Sequence, residues 1–315
     1  MYKVSVVITT HNRLNMLKKA IKSVEMQSYS NIEIVIVNDN SDDGTKEYLD
    51  KLIRENITIK HLYGSQSRGG NHARNIGINT STGDLIAFLD DDDFWNDKKI
   101  EKQVAIFKKD SKIGLVYCGY ERITNHNITT KVMPDYNFKG KIGNNALTKI
   151  FSITSCLVVK KVLLEEIGGF DERLSHWQEY DLSIRISQIS DIDFVDECLV
   201  TIISITNDPS RLSNQVEKWK SSMKYFDIKY QNLINELTDE QLLKKEMTFY
   251  LDGASRYAAI GNKRMHRKYM KIAWEKSGKI HHFIRYLFNL DNIQVEKIKF
   301  FLQNHSINIE KLKKI

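Results

Sequence analysis

Short apolar runs alternate with amphipathic stretches through the first 120 residues. Residues 4–9 are apolar and β-branched and predict a strand, whereas 13–27 place Leu14, Leu17, Ile21 and Val24 on one helical face. The same reading predicts strands over 32–37, 57–62, 84–89 and 113–118, and helices over 43–54, 70–79 and 97–107. Strand–helix alternation at this spacing predicts an α/β chain with a mostly parallel central sheet and helices on both faces. The near-continuous apolar strands agree, because parallel strands are buried on both sides. Residues 120–210 are mixed, with a short strand over 155–159 and a helix over 180–189, and from Arg211 the pattern is helical to the end. Only two prolines occur, Pro134 and Pro209, and Pro209-Ser210 is the expected hinge between an α/β domain, 1–210, and a helical region, 211–315.

Composition narrows the class. A hydrophobic share of 41% and a charged share of 28% over 315 residues are those of a globular protein. No charged-then-apolar leader opens the chain, and no apolar run approaches the roughly 18 residues of a spanning helix. Cys118, Cys156 and Cys198 are scattered without metal spacing, which predicts small core residues in a reduced, cytoplasmic setting. Charge is lopsided: residues 1–210 carry 26 Lys and Arg against 29 Asp and Glu, net −3, and residues 211–315 carry 21 against 11, net +10. The last third therefore faces something anionic.

The chemistry concentrates where strands end. The strand ending at Leu89 delivers Asp90-Asp91-Asp92-Asp93. Four adjacent carboxylates repel one another unless a cation or hydrogen-bond donors compensate them. Mg²⁺ is commonly held by one or two carboxylates plus substrate phosphates, and open α/β sheets take ligands at the carboxyl ends of their strands. A solvated acidic turn, with Asp93 capping a helix that starts near Asn96, is the competing reading. The first strand ends in Thr9-Thr10-His11-Asn12-Arg13 and the second in Asn38-Asp39-Asn40-Ser41-Asp42-Asp43-Gly44-Thr45. A buried carboxylate in the second turn can accept the ring N–H of a pyrimidine base. Before the fourth strand, Arg68-Gly69-Gly70 lets the backbone approach a ligand closely and leads to Arg74 on the same helix face as Gly70 and Gly77.

The ordered blocks Val-Ile-Thr-Thr-His-Asn-Arg, Val-Asn-Asp-Asn-Ser-Asp-Asp-Gly-Thr, Ala-Arg-Asn-Ile-Gly and Phe-Leu-Asp-Asp-Asp-Asp resemble the family 2 inverting nucleotide-sugar glycosyltransferases. The resemblance covers about the first 210 residues. It extends through Ile167-Gly168-Gly169-Phe170-Asp171-Glu172 to Gln178-Glu179-Tyr180-Asp181-Leu182, which is similar to the family's acceptor-side Glu-Asp-x-Asp-Leu. It implies the GT-A fold, with a nucleotide-binding half over 1–120 and an acceptor-binding half over 121–210. It also implies Mn²⁺ or Mg²⁺ as cofactor and a nucleotide sugar, UDP-linked, as donor of a hexose or N-acetylhexosamine.

Carried over by position, Thr9 and Asp39 contact the base, Asp90 holds the ribose side and the metal, and Asp92 is the main metal ligand. Asp91 fills the variable middle position, and Thr10, Asn12, Arg13, Asn40 and Arg74 complete the nucleotide-binding set. Glu179 aligns with the general base, which takes the acceptor hydroxyl proton on the face opposite the leaving group. Asp181 is the alternative base, its other reading being a helix-dipole charge. Three positions depart from the family pattern. Glutamate replaces aspartate at 179, Gln178 replaces an acid, and no histidine stands near Thr206, where Asn207, Asp208 or Arg211 would substitute. Arg211 suits a diphosphate clamp, because guanidinium pairs bidentately with phosphate. His176 and Trp177 could line the acceptor pocket.

The basic helical tail, with 263–274 and 281–288 mixing cations and aromatics, has two readings: a bundle that packs on itself or on another subunit, or a peripheral contact with the inner face of a membrane. No nucleic-acid-binding signature accompanies the charge. The glycan acceptor would belong to a cell-surface polysaccharide or glycoconjugate. Competing functions are a sugar-nucleotide nucleotidyltransferase, for which Thr10-His11-Asn12-Arg13 is not the required glycine-rich loop, and a non-catalytic scaffold. Retained acidic residues at 39, 90, 92 and 179 argue against the scaffold.

Overall fold

The computed structural model describes residues 1–52, 55–64, 66–124, 129–204, 215–290 and 294–295. The chain divides into two compact units. The first comprises Met1–Ile123, Lys131–Ala146 and Ile150–Ile203, and the second Thr124–Thr130, Leu147–Lys149 and Ser204–Ile315.

The first unit opens with β1 (Val4–Thr10), α1 (Leu14–Glu25), β2 (Ile32–Asp39), α2 (Thr45–Asp50), β3 (Ile57–Leu62), α3 (Gly70–Thr80) and β4 (Leu85–Asp90). It continues with β5 (Asp93–Trp95), α4 (Lys99–Lys109), β6 (Ile113–Thr124), β7 (Thr129–Val132), β8 (Val158–Lys160), α5 (Lys161–Glu166), α6 (Gln178–Ile189) and β9 (Asp191–Ser204). One nine-stranded sheet runs β3-β2-β1-β4-β8-β6-β9-β5, with β7 paired to β6. The strands β3, β2, β1 and β4 are parallel, as their alternation with helices predicts. Past β4 the sheet turns antiparallel, at β4–β8, β8–β6 and β9–β5. The strands paired in this second half are far apart in sequence, so no single strand–helix–strand crossover imposes a parallel direction on them.

Packing explains the helix placement. The face of α1 that carries Leu17, Ala20, Ile21 and Val24 is buried in the core with Ile8, Ile34 and Leu49. Gly77 lets α3 press on β1, since a Cβ there would lie 2.3 Å from Val7 Cγ1. The second helix is shorter than its pattern because Asp43 accepts from Thr45 N (3.2 Å) and Leu14 N (2.9 Å), which fixes the turn ahead of Thr45.

Asp93 does not cap the next helix. It lies in β5 and accepts a 2.6 Å hydrogen bond from Ser155 Oγ, while α4 begins at Lys99 with Lys98 at the cap and no side-chain cap bond. The competing solvated-turn reading fails with it, because Asp91 and Asp93 are buried.

Beneath that turn Lys99 is fully buried, its ammonium 4.0 Å from the Trp95 ring centroid and without a hydrogen-bond partner. Burial pushes this lysine down to about 8, against the raising influence of Cys118 and Cys156. Its cost is therefore full below pH 8 and fades as pH rises towards the unfolded value. Replacement Lys99→Met is expected to stabilise the fold by about 1–3 kcal/mol at pH 7, with the gain shrinking by pH 10. Denaturant unfolding at the two pH values checks this, and equal stability at pH 7 would refute a charged, unsatisfied ammonium.

From residue 215 on, the described part of the second unit is helical: α7 (Val216–Lys229), α8 (Gln231–Asn235), α9 (Asp239–Ala259), α10 (Lys263–Ser277) and α11 (Ile280–Phe288). Thr238 and Gln241 form a reciprocal capping box at the start of α9. Gly253 has no room for a side chain, because a Cβ would lie 2.5 Å from the Tyr269 ring and 2.7 Å from Trp219. No helix among the described residues is long and apolar enough to cross a membrane.

Candidate active site

The strand order places β2 on one side of β1 and β4 on the other, so the chain reverses direction across the sheet between β1 and β4. Such switch points open a crevice at the carboxyl ends of the strands. Thr9 stands beside Asp90 in register, and the next residues of both strands meet there. Asp91 is buried, accepting from Thr10 Oγ1 (2.7 Å) and Arg13 Nη1 (3.0 Å). Burial pushes its carboxyl up to about 6, against the lowering effect of Arg13 and Thr10. Arg13 also reaches Asp92 Oδ2 at 3.3 Å, and its guanidinium is raised by these carboxylates against burial. Asp90 accepts from Arg74 Nη2 at 2.6 Å. Two arginines thus offset the acidic run, and of its first three members Asp90 and Asp92 keep exposed side-chain surface, at 32% and 19%, against 4% for Asp91.

Ser155 ties this turn together. Its Oγ accepts from Asp90 N at 3.1 Å and donates to Asp93, while its carbonyl accepts from Trp95 Nε1 at 2.9 Å. The sequence gives no sign of this role, because Ser155 begins an ordinary apolar run.

At the end of β2, Asp39 is buried and accepts from Ser67 Oγ (2.5 Å), Arg68 N (3.0 Å) and Gly69 N (2.8 Å). A carboxylate has about four lone-pair positions, so one remains for a further donor. Asp39 therefore organises the glycine loop ahead of α3, where Gly69 takes φ +93, as well as facing the crevice end of β2. Neither Asp39's loop partners nor Ser67 is apparent from the motifs alone. Asn12 and Asn40 both adopt left-handed backbone, φ 53 and φ 60, and Asn12 bridges the turns through Ser41 Oγ and Asp42 N.

The second half is fastened to α3. Asn75 exchanges hydrogen bonds with the backbone of Phe170 (2.9 and 2.8 Å), and Asn71 Nδ2 donates to the carbonyls of Asp171 and Leu174 (2.9 and 2.8 Å). The Arg74 guanidinium lies 5.4 Å from the Phe170 ring centroid. This segment leads into α6, whose cap residue Trp177 has φ +61, an uncommon conformation for a bulky side chain.

Glu179 and Asp181 both lie in the first turn of α6. Asp181 is fully buried and its Oδ2 accepts from Arg185 Nε (2.9 Å) and Nη2 (2.6 Å), an engagement inside the helix rather than towards an acceptor. Glu179 is half-buried and acts on Tyr120, whose hydroxyl is raised first by burial and further by the Glu179 and Asp93 carboxylates. Tyr120 therefore lies within electrostatic reach of both Glu179 and the acidic turn. His176 and Trp177 are buried, His176 Nδ1 lying 3.1 Å from Ser175 Oγ and Trp177 packing edge-on against Tyr180. Thr206, Asn207, Asp208 and Arg211 lie outside the described residues.

Residues 5–168 match the family model for "Glycosyl transferase family 2". The chain is similar to an uncharacterized glycosyltransferase of Rickettsia prowazekii, RP339, with 33% identity over 76% of this chain and 74% of that one. It is similar also to the Escherichia coli UDP-Glc:alpha-D-GlcNAc-diphosphoundecaprenol beta-1,3-glucosyltransferase WfgD, with 31% identity over 62% of this chain and 74% of that one. In structure it resembles the mannosyltransferase PcManGT of Pyrobaculum calidifontis, solved with GDP-Man and Mn²⁺. That match has a TM-score of 0.54 at 14% identity and covers 92% of this chain and 88% of the other.

Proposed function

We propose a reaction from the premise that this chain belongs to glycosyl transferase family 2 and is a glycosyltransferase. It transfers a hexose or N-acetylhexosamine, with inversion, from a UDP-sugar to a lipid-diphosphate-linked glycan at the cytoplasmic face of a membrane. The donor and acceptor in WfgD's name support the uridine nucleotide and the lipid diphosphate. The observation that carries the reading is the pair of accessible carboxylates, Asp90 and Asp92, at the switch point between β1 and β4.

The donor set fits a divalent ion. No group of three or more His, Cys, Asp and Glu side chains among the described residues could hold a metal by itself. Two hard oxygen ligands suit an ion that completes its shell with phosphate oxygens and water, as Mg²⁺ commonly does. Asp92 and Asp90 would hold it, and it would supply charge neutralisation to the departing diphosphate. Arg13 holds Asp91 and Asp92 at their present spacing. Asp39 receives the base through its remaining lone pair and keeps the 67–69 loop against it. Glu179 takes the acceptor proton, and Asp181, engaged with Arg185, anchors the first turn of α6 beneath it. Residues 1–210 form the catalytic domain in this assignment, with the nucleotide over 1–120 and the acceptor over 121–210.

A panel of UDP-glucose, UDP-N-acetylglucosamine and GDP-mannose with Mn²⁺ and a GlcNAc-diphosphate lipid tests the reading. Free UDP should form with a product of inverted anomeric configuration. Turnover of the guanosine donor alone would overturn it. An Asp39→Ala protein is expected to lose at least tenfold in UDP affinity by calorimetry while keeping its circular dichroism, since a charge-assisted hydrogen bond and the loop it orders go together. Unchanged affinity would remove Asp39 from the base site.

A further inference from the structure

The helices α10 and α11 carry two features that no part of the transfer chemistry uses. Lys263, Arg264, Arg267, Lys268 and Lys271 are all exposed and recur on one face of α10. With Tyr286 of α11 and Asn289 just past its end they line a groove of about 520 Å³, in which the Arg267 guanidinium sits 5.0 Å from the Tyr286 ring centroid. Lys271 also meets Glu275 at 3.5 Å. On α11, Ile280, Ile284, Leu287 and Phe288 are 46%, 42%, 47% and 65% exposed. Their spacing of four, seven and eight residues makes one continuous apolar stripe.

We propose that α10 and α11 form a docking surface for an anionic lipid bilayer. The stripe enters the interfacial region, and the groove takes the phosphate groups of acidic phospholipids. A helix with an apolar face and adjacent cations lies in the interface, where acidic lipids draw the cations and hydrocarbon accepts the apolar side chains. Nucleic acid would satisfy the cations but leave the stripe in water. A second copy satisfies the stripe poorly, because a nine-residue helix about 14 Å long and about 10 Å wide offers a face on the order of 140 Å², well short of the roughly 800 Å² per partner of a stable interface. This surface is independent of the donor reading.

The experiment is sedimentation of the full-length chain with phosphatidylglycerol–phosphatidylcholine vesicles, without any nucleotide sugar. Binding should appear with phosphatidylglycerol, disappear with pure phosphatidylcholine and weaken with salt. At about fivefold per cation, the triple change Arg264→Gln, Lys268→Gln and Lys271→Gln should lower vesicle affinity on the order of 100-fold. The pair Ile284→Ser and Phe288→Ser should abolish binding, with circular dichroism unchanged in both proteins. UDP release with a soluble acceptor should stay at the wild-type rate, which separates a failure here from a failure of the transferase assignment. Any of three results would overturn the proposal. These are no binding to phosphatidylglycerol vesicles, equal binding by the variants, or a dimer in sedimentation velocity that the Ile284→Ser, Phe288→Ser protein loses.

Discussion

Glu179→Gln should lower kcat on the order of 10²- to 10⁴-fold and leave UDP affinity within about twofold of wild type. The amide keeps the size of the side chain but cannot take a proton. Glu179 lies in the first turn of α6, a different element from the strand ends that carry Asp39 and Asp90. Rate measurements at saturating donor, paired with UDP titration, separate the two effects. A Glu179→Asp protein should recover part of the rate, since the shorter arm still accepts a proton. Full activity in the glutamine variant would shift the role to another group. Asp181 is a poor successor, because it is sealed from solvent and held by Arg185. An Asp181→Asn change should act through stability, lowering Tm with little change in the kcat of the folded fraction.

The second large effect is expected at Asp92. Asp92→Asn should cut turnover on the order of 10³-fold and uncouple UDP binding from Mn²⁺, because one of two hard anionic ligands is lost. Calorimetry of UDP with and without Mn²⁺ reads the coupling directly. Wild type should show tighter binding with the ion, and the variant should show none of that gain. With so few protein ligands, Mn²⁺ alone should bind wild type weakly. Tight Mn²⁺ binding without nucleotide, unaffected by the substitution, would place the ion elsewhere.

Much of the fold was legible because its first half obeys local rules. The strand over 57–62 occurs with the bounds its pattern predicts, and α3 differs from its prediction only at Thr80. Legibility fell where partners are distant in sequence. Asp93 looked like a helix cap because it precedes a helical pattern, but its partner is Ser155, 62 residues away. The strand over 113–118 runs on to Thr124 because pairing within the sheet extends it beyond its apolar residues. Motifs located the acidic run, yet not the division inside it, by which Asp91 turns inward to Thr10 and Arg13. Asp39 was legible as a carboxylate at a strand end, whereas its hold on Ser67, Arg68 and Gly69 is a matter of loop geometry.

The amides of Asn71 and Asn75 grip carbonyls and an N–H of the 170–174 backbone rather than its side chains. Because these bonds go to main chain, the register between α3 and the 170–174 segment does not depend on the side chain carried at the exposed Arg173, and exchange there leaves the grip in place.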